Sequence, residues 1–206
     1  RIAAPLKVTD DSIRLYAISK LSWIKRNQRK FDEQERIPGR EYKERESHYF
    51  QGKRYLLNII EHDAIPQVVL KSKKYIELYI RPGTTSEKCQ EIMAEWYRNE
   101  MKQIIPDIIT KWEKILSLEV NDWQVKQMKT LWGSCNIEKK RILLNLELAK
   151  KPERCLEYII VHEMIHLLER HHNDRFLYYM ETHLPNWKQL KDELNKLPVS
   201  HAQWNY

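Results

Sequence analysis

The 206-residue sequence carries 36 lysines and arginines against 29 aspartates and glutamates, which gives a formal net charge of +7. This length suits one domain, or a core with a smaller appended lobe, and 42% hydrophobic residues are enough to form a core. Wholesale disorder is therefore excluded, and only four glycines exclude collagen-like and low-complexity architectures. No apolar run approaches the roughly 20 residues of a membrane-spanning helix, so an integral membrane protein is excluded as well.

The cysteines indicate the cellular compartment, and the first residue indicates where the native N-terminus lies. Cys89, Cys135 and Cys155 are widely spaced and form no Cys-x-x-Cys pair, which is neither a disulfide framework nor a zinc ribbon. We predict reduced thiols and a cytoplasmic protein. The sequence begins at Arg1 rather than Met, so we expect the native N-terminus to lie upstream.

The first predicted element is a helix. Thr9 offers an N-cap, and apolar residues at helical spacing extend this helix to about residue 30: Ile13, Ala17, Leu21 and Ile24. The stretch 20–54 holds 11 basic and six acidic residues, which is +5 of the total charge. It predicts a solvated surface, because acidic residues are interleaved; the alternative is a basic surface for nucleic acid.

Alternating apolar residues then predict two β-hairpins, one over 48–50 and 55–59 and the other over 68–70 and 75–80. Thr85 or Ser86 caps a long helix that continues to Leu116, and Pro106 should kink or restart it. Further strands are predicted at 123–127 and 141–148. Helices follow at about 153–170, 174–182 and 186–196. This order predicts an α+β fold, with a helix and hairpin lobe over 1–84 and a second part over 85–206.

The decisive motif is His162-Glu163-Met164-Ile165-His166, a His-Glu-x-x-His inside a predicted helix. Histidines four residues apart lie on one helical face, so both imidazoles can reach one ion. Neutral imidazole suits Zn²⁺ in a tetrahedral site that keeps one position open for water. Glu163 can take a proton from that water and return it to a leaving amine. The alternative is a pair of packed helix histidines beside a surface carboxylate.

A catalytic zinc site needs a third protein ligand. The candidates that follow the motif are Glu169, His171, His172 and His183. His172 is favoured because six residues after His166 let the chain leave the helix and fold an imidazole back. His171 or one of the other two remains an alternative on spacing alone.

Four segments carry a family resemblance, and they are 128–135, 141–145, 158–167 and 172–176. They resemble the YgjP-like (DUF45) metallopeptidase family, which is commonly placed beside the SprT-like and WLM zincins. The resemblance is strongest from about 130 to 187. It implies a zincin-like fold, a zinc ion held by His162, His166 and His172, and a polypeptide substrate. Leu131 and Met164 depart from the family pattern, but neither change removes a ligand.

The resemblance also directs attention to the segment before the motif. We predict a tight turn at Gly133 and expect five residues to line the zinc cleft: Trp132, Gly133, Ser134, Cys135 and Asn145. Cys135 is interpreted as a structural thiol rather than a ligand. By analogy with zincins, an extended peptide is expected to pair with strand 141–148 as a sheet edge.

Remaining roles are less well defined by pattern. Glu157 or Asp174 can support a ligand histidine through its second ring nitrogen. Tyr178 or Tyr179 is a candidate donor to the oxyanion. The preferred function is a zinc-dependent metallopeptidase that acts on polypeptides and has no membrane partner. Two alternatives stand beside it: a nucleic-acid-associated protein that uses its basic N-terminal surface, and a zinc-stabilised interaction module without catalysis, against which the intact Glu163 argues.

Overall fold

The computed structural model describes residues 4–5, 7–33, 36–37, 40–196 and 199–200. The helices of this part of the chain are α1 (Asp10–Ser19), α2 (Leu21–Glu33), α3 (Ser86–Leu116), α4 (Glu153–Ile165), α5 (Asp174–His183) and α6 (Trp187–Lys196), with a 3₁₀ helix at Leu146–Lys150. The strands are β1 (Arg36–Ile37), β2 (Ser47–Phe50), β3 (Lys53–Glu61), β4 (Gln67–Leu70), β5 (Tyr75–Ile80), β6 (Asp122–Lys126), β7 (Gly133–Asn136), β8 (Arg141–Asn145) and β9 (Val199–Ser200). The predicted α+β class is confirmed. Within these residues, no helix is long and apolar enough to cross a bilayer.

The N-terminal helix differs from the prediction because it is divided in two. Thr9 caps α1 through its hydroxyl, which accepts from the Ser12 amide, but the helix ends at Ser19 and Lys20 separates it from α2. No residue of α1 is buried. The apolar spacing that predicted one continuous helix therefore corresponds to two consecutive helices, and after them β1 pairs in parallel with β9.

Both predicted hairpins are confirmed, as β2–β3 and β4–β5. Because β3 also pairs in parallel with β5, the four strands form one sheet in the order β2-β3-β5-β4. The first hairpin turns at Gln51 and Gly52, whose φ angles are 47° and 75°. The amides of these two residues donate to the carbonyls of Ala149 and Lys150, at 2.9 and 3.1 Å. The turn is thereby attached to the 3₁₀ helix that precedes α4.

The long helix α3 links the sheet to α4. Thr85 caps it, accepting from the Lys88 amide at 3.3 Å, and the helix continues through Pro106 without a break. Its buried face includes Met93, Met101 and Ile105. One apolar core extends from the β2–β5 sheet across α3 to α4. The division after residue 84 stays a prediction.

A second sheet of three strands has the order β6-β8-β7, with β8 parallel to β6 and antiparallel to β7. The prediction of a tight turn at Gly133 is wrong, because Gly133 begins β7. The predicted strand 141–148 ends at Asn145, and its last residues belong to the 3₁₀ helix. Since β8 lies in the centre, the edge next to α4 is β7, and the predicted edge strand is corrected accordingly.

Candidate metal centre

The His-Glu-x-x-His motif lies at the C-terminal end of α4, a helix that is largely buried in the apolar core. Pro152 precedes its first turn, and the helix carries an almost continuous apolar run, of which Ile160, Val161 and Met164 are fully buried. It packs against α3, α5, α6 and the β7–β8 pair. Apolar residues on all sides favour a helix enclosed by its neighbours. The helix ends at Ile165, earlier than the predicted residue 170.

Three histidines of the prediction meet at the end of this helix. One ring nitrogen from each of His162, His166 and His172 lies within 4.8 Å of the others. The Nε2 atoms of His162 and His172 are 3.0 Å apart. Four-coordinate zinc with bonds of about 2.0–2.1 Å separates its ligand atoms by roughly 3.3 Å. The donor set and its spacing therefore fit a zinc ion.

The chain returns to His172 through a compact connection over residues 166–173. The His166 Nδ1 atom lies 3.1 Å from the Glu169 carbonyl oxygen, a contact that directs the opposite ring edge away from the backbone. Asn173 then caps α5, its Oδ1 accepting from the Phe176 amide at 3.0 Å. These contacts fix the residues on both sides of His172.

The other proposed third ligands lie elsewhere. The Glu169 carboxylate accepts from the backbone amide of His171, and His171 itself is exposed. The ring of His183 stacks on Tyr179, with centroids 6.4 Å apart. Of the four candidates, the structure brings only His172 into the group.

Phe176 is a residue of this site to which the sequence reasoning assigned no role. Its ring is 2% exposed, and its centroid lies 5.0, 4.8 and 4.7 Å from those of His162, His166 and His172. One aromatic ring thus packs against all three imidazoles. The signal available in the sequence is an aromatic residue in the first turn of the helix that Asn173 caps.

The surroundings of His162 and His172 favour the neutral form of these two imidazoles. Burial lowers the pKa of His162 to about 3, helped by the nearby imidazoles of His166 and His172 and the ammonium of Lys191. Burial also lowers the pKa of His172, followed by the charges of His166, Lys191 and His171. A neutral imidazole has a free lone pair, which is the form that binds a metal ion.

Glu163 is the buried carboxyl group beside this cluster. Its side chain is 6% exposed, and burial raises its pKa to about 8. A Cβ atom on Gly133 would lie 2.7 Å from Glu163 Oε1 and 2.9 Å from Ile159 Cγ2. Gly133 therefore lets β7 approach α4 closely, and this approach is the reason for glycine at the position, rather than the turn that was predicted.

A cleft of about 990 Å³ opens in front of the motif. It is lined by the three histidines, Glu163 and several neighbours, among them four of the five residues predicted to line it: Trp132, Gly133, Ser134 and Cys135. The Cys135 thiol lies outside the histidine group, and burial together with the Glu163 charge raises its pKa to about 11. All three cysteines are unpaired.

Asn145, the fifth predicted residue, does not line the cleft. It is 5% exposed, and its Nδ2 atom donates to the carbonyls of Met128 and Leu131, at 3.0 and 2.7 Å. Its Oδ1 atom accepts from the Glu147 amide. The side chain holds the segment that leads into β7, so its effect on the cleft is indirect.

Three residues predicted to assist the site take other positions, and they are Glu157, Tyr178 and Tyr179. Glu157 accepts hydrogen bonds from Lys111 and from the indole of Trp112, so it is committed to α3. Neither Tyr178 nor Tyr179 lines the cleft. The tyrosine that does is Tyr158, one turn before His162, and burial raises its pKa to about 12.

The group of three histidines, which could hold a metal ion, and the cleft agree with the family to which the sequence can be assigned. A model of the YgjP-like metallopeptidase domain matches residues 1–197. The chain belongs to this family of metallopeptidases. No curated protein sequence matches it.

Two solved structures are similar to part of the chain. The metallopeptidase zymogen abylysin of Pyrococcus abyssi is 20% identical, with a TM-score of 0.41, and the match covers 44% of this chain and 90% of that one. The zymogen jannalysin of Methanocaldococcus jannaschii is 24% identical, with a TM-score of 0.40, and the match covers 44% and 92%. These scores are too low to carry an argument about this chain.

Proposed function

We propose that this protein is a zinc-dependent metallopeptidase whose ion is held by His162, His166 and His172. The observation that carries the proposal is the convergence of three imidazole nitrogens within 4.8 Å at a cleft that also contains the buried Glu163. Three imidazole nitrogens favour zinc over harder ions such as Mg²⁺, which prefer oxygen ligands. Membership of a metallopeptidase family supports the same assignment.

Zinc bound there would polarise both a water molecule and the carbonyl of the scissile bond. Glu163 accepts the proton of the attacking water and delivers it to the departing amine. Its burial strengthens it as a base, because a carboxylate in an apolar site gains more from protonation than one in water. The close approach of Gly133 to Glu163 limits where this carboxylate can lie.

The substrate is proposed to be an extended polypeptide bound along β7. Among the described residues this strand pairs only with β8. It lines the cleft with its residues 133–136, so its other edge can hydrogen-bond an added strand. Tyr158 is the best-placed tyrosine to donate to the oxyanion, because it lines the same cleft one helical turn from His162. It replaces Tyr178 and Tyr179 in that role.

Metal content tests the binding half of the proposal. The wild type, purified without chelators, is expected to carry one zinc per chain by elemental analysis, whereas His162→Ala is expected to carry none. A wild type without any stoichiometric transition metal overturns the proposal. Full zinc occupancy in the His162→Ala variant would show that the metal binds at another site.

Peptide hydrolysis tests the catalytic half. Glu163→Gln is expected to retain zinc and to lose hydrolysis by a factor of about 100 to 10,000, because general-base catalysis is worth that much. Equal rates for the two proteins would support the interaction module instead. The nucleic-acid alternative stays a prediction, and salt-dependent binding of a DNA or RNA duplex at about 50 mM salt would support it.

A further inference from the structure

Lys151 is a buried lysine that the chemistry proposed above does not use. It follows the 3₁₀ helix and is 4% exposed, although lysine is seldom buried to this extent unless a partner stabilises its charge. Burial lowers the pKa of its ammonium to about 8, while the charge of Glu147 acts in the opposite direction. The side chain is therefore still mainly charged at neutral pH. The ammonium lies 5.5 Å from the centroid of the Trp132 ring, within the range of a cation–π contact.

The backbone of Lys151 is held on both sides, which fixes the place from which its side chain extends. Its own amide donates to the Leu148 carbonyl at 3.0 Å, and the carbonyl of the preceding Lys150 accepts from the Gly52 amide at 3.1 Å. A side chain that starts from a fixed backbone and ends in a packed interior has few alternative rotamers. The ammonium of Lys151 therefore has a defined position against the indole.

Trp132 lines the cleft, and Lys151 contacts its ring from the protein interior. The indole is half-buried and belongs to the lining of the cleft, whereas the buried Lys151 does not. The Asn145 amide donates to the Trp132 carbonyl at 2.9 Å, and Asn145 Nδ2 donates to the Leu131 carbonyl at 2.7 Å. These hydrogen bonds fix the backbone of Trp132 but leave its two side-chain torsions free. The contact with Lys151 restricts these torsions and so sets which surface the indole presents to the cleft.

The surface around Trp132 is apolar and lies at the start of the strand along which the substrate is proposed to bind. Trp132 immediately precedes β7, and Leu131 beside it lines the same cleft and is 55% exposed. Gly133, the next residue, approaches the carboxyl group of Glu163. A peptide paired along β7 can therefore place a side chain against this indole, close to the bond to be cut. Large apolar and aromatic side chains gain the most from contact with an indole ring.

We infer that Trp132 contacts a large apolar or aromatic side chain of the peptide substrate, and that Lys151 is the positioning residue that holds the indole for this contact. The cleft then selects peptides with a residue such as phenylalanine or leucine near the scissile bond over peptides with a polar residue there. The identification of the ligand as a substrate rests on the proposed function, whereas the binding of the apolar side chain does not.

Binding is tested with three fluorescent peptides of one length, blocked at both ends, that differ in a single central residue: Phe, Leu or Gln. Anisotropy titrations use the zinc-loaded protein carrying Glu163→Gln, so that no peptide is cut. The Phe and Leu peptides are expected to bind about tenfold more tightly than the Gln peptide, because their apolar side chain is removed from water. Trp132→Ala should abolish this preference. Equal affinities for the three peptides overturn the inference.

Two substitutions of neighbouring lysines decide whether Lys151 positions the indole. Lys151→Met keeps the length of the side chain but removes its charge, and it should reduce the preference for the Phe peptide about threefold. Lys150→Met is the matched control, because that ammonium lies 5.6 Å from the centroid of the Tyr97 ring and pairs with Glu147 at 2.8 Å, outside the cleft lining. An unchanged preference in Lys151→Met, or an equal loss in Lys150→Met, contradicts the positioning role.

The indole can also be observed directly, which keeps the test valid if a variant folds poorly. The protein carrying Glu163→Gln is labelled with fluorotryptophan, and the fluorine NMR resonance of Trp132 is the one missing after Trp132→Phe. The Phe peptide should shift this resonance, and Lys151→Met should broaden or shift it, whereas Lys150→Met should not. A Trp132 resonance that does not respond to the Phe peptide overturns the inference.

Cleavage of the same peptides by the protein with Glu163 separates this inference from the proposed function. Equal cleavage of the Phe and Gln peptides leaves the peptidase standing and removes the apolar preference. Trp132-dependent binding without any cleavage does the reverse: the apolar contact stands and the proposed hydrolysis fails. With both correct, kcat/KM is about tenfold higher for the Phe peptide, and Lys151→Met raises KM while kcat stays nearly unchanged.

Discussion

The two sides of the candidate metal site are built in different ways. His162 and Glu163 project from α4, and His166 caps the C-terminal end of this helix, which is enclosed by other helices and by a sheet. His172 is exposed and stands in a connection whose neighbouring residues are fixed by individual hydrogen bonds. Core packing therefore fixes the position of the residues on the α4 side of the site, and a few polar contacts fix the position of His172 on the other side. Changes in the core should affect stability and metal binding together, whereas changes in the connection should affect metal binding more.

The largest effect is expected from the ligands themselves. Both His162→Ala and His172→Ala should eliminate stoichiometric zinc, because two remaining imidazoles make a weak site. In chelator, His162→Ala should also lower the free energy of unfolding by about 1 kcal/mol, since it removes a half-buried ring, while His172→Ala stays within about 0.5 kcal/mol of wild type. Urea unfolding with and without chelator measures both. Full zinc occupancy in His172→Ala would place the third ligand elsewhere.

A change at Phe176 should affect both stability and metal binding, because its ring, on α5, contacts all three imidazoles. Phe176→Ala is expected to lower the free energy of unfolding by about 3–5 kcal/mol and to weaken zinc binding as well. Tyr178 is two residues further along the same helix and 65% exposed, so Tyr178→Ala is the matched control. Urea denaturation and competitive zinc titration report the two effects. A Phe176→Ala protein as stable as the control would contradict the packing described.

Gly133→Ala tests the position of the Glu163 carboxylate and leaves the three histidines unchanged. The added methyl would meet the Glu163 carboxyl group and Ile159, so the carboxylate or β7 has to shift. Displacement of a catalytic group by about 1 Å can cost roughly 100-fold in rate, and we expect a 10- to 100-fold loss of peptide hydrolysis. Zinc content should remain at one per chain. Wild-type kcat in this variant would mean that the position of Glu163 does not matter for the reaction.

The smallest effect is expected at the cap that follows His172. Asn173→Ala removes the hydrogen bond to the Phe176 amide, which should cost about 1 kcal/mol and reduce zinc affinity several-fold. Thr9→Ala removes the equivalent cap of α1, remote in sequence from the motif, and is the control. Isothermal titration with zinc distinguishes them. Equal affinities would show that the connection keeps its shape without this cap.

The same contrast explains what the sequence could predict. The motif on α4 follows from a spacing of four residues and local apolar periodicity, which are properties of a single helix. His172 could be favoured only by its distance along the chain, since a connection of this kind has no period. The rings that gather around Phe176 belong to two helices and the connection between them, so no local pattern indicates them.

Other positions were misjudged because their cause is not local. Glycine is common in turns, so Gly133 predicted one, but here the glycine allows a strand to approach a helix. The strand at Arg141–Asn145 was expected at an edge, although pairing with β6 and β7 places it in the centre. Asn145 was expected in the cleft because it ends one of the segments that carry the family resemblance, but its amide group holds the segment that precedes β7.

The attachment of the first hairpin has a consequence for any shortened form of this protein. The turn at Gln51 and Gly52 donates two hydrogen bonds to the backbone just before α4, and a Cβ on Gly52 would lie 2.6 Å from the Pro152 ring. Deleting the first 84 residues would free those two carbonyls and uncover the proline at which the motif-bearing helix begins. A fragment that starts at residue 85 should therefore lose the anchorage of its reactive helix, even though every metal-binding residue is still encoded in it.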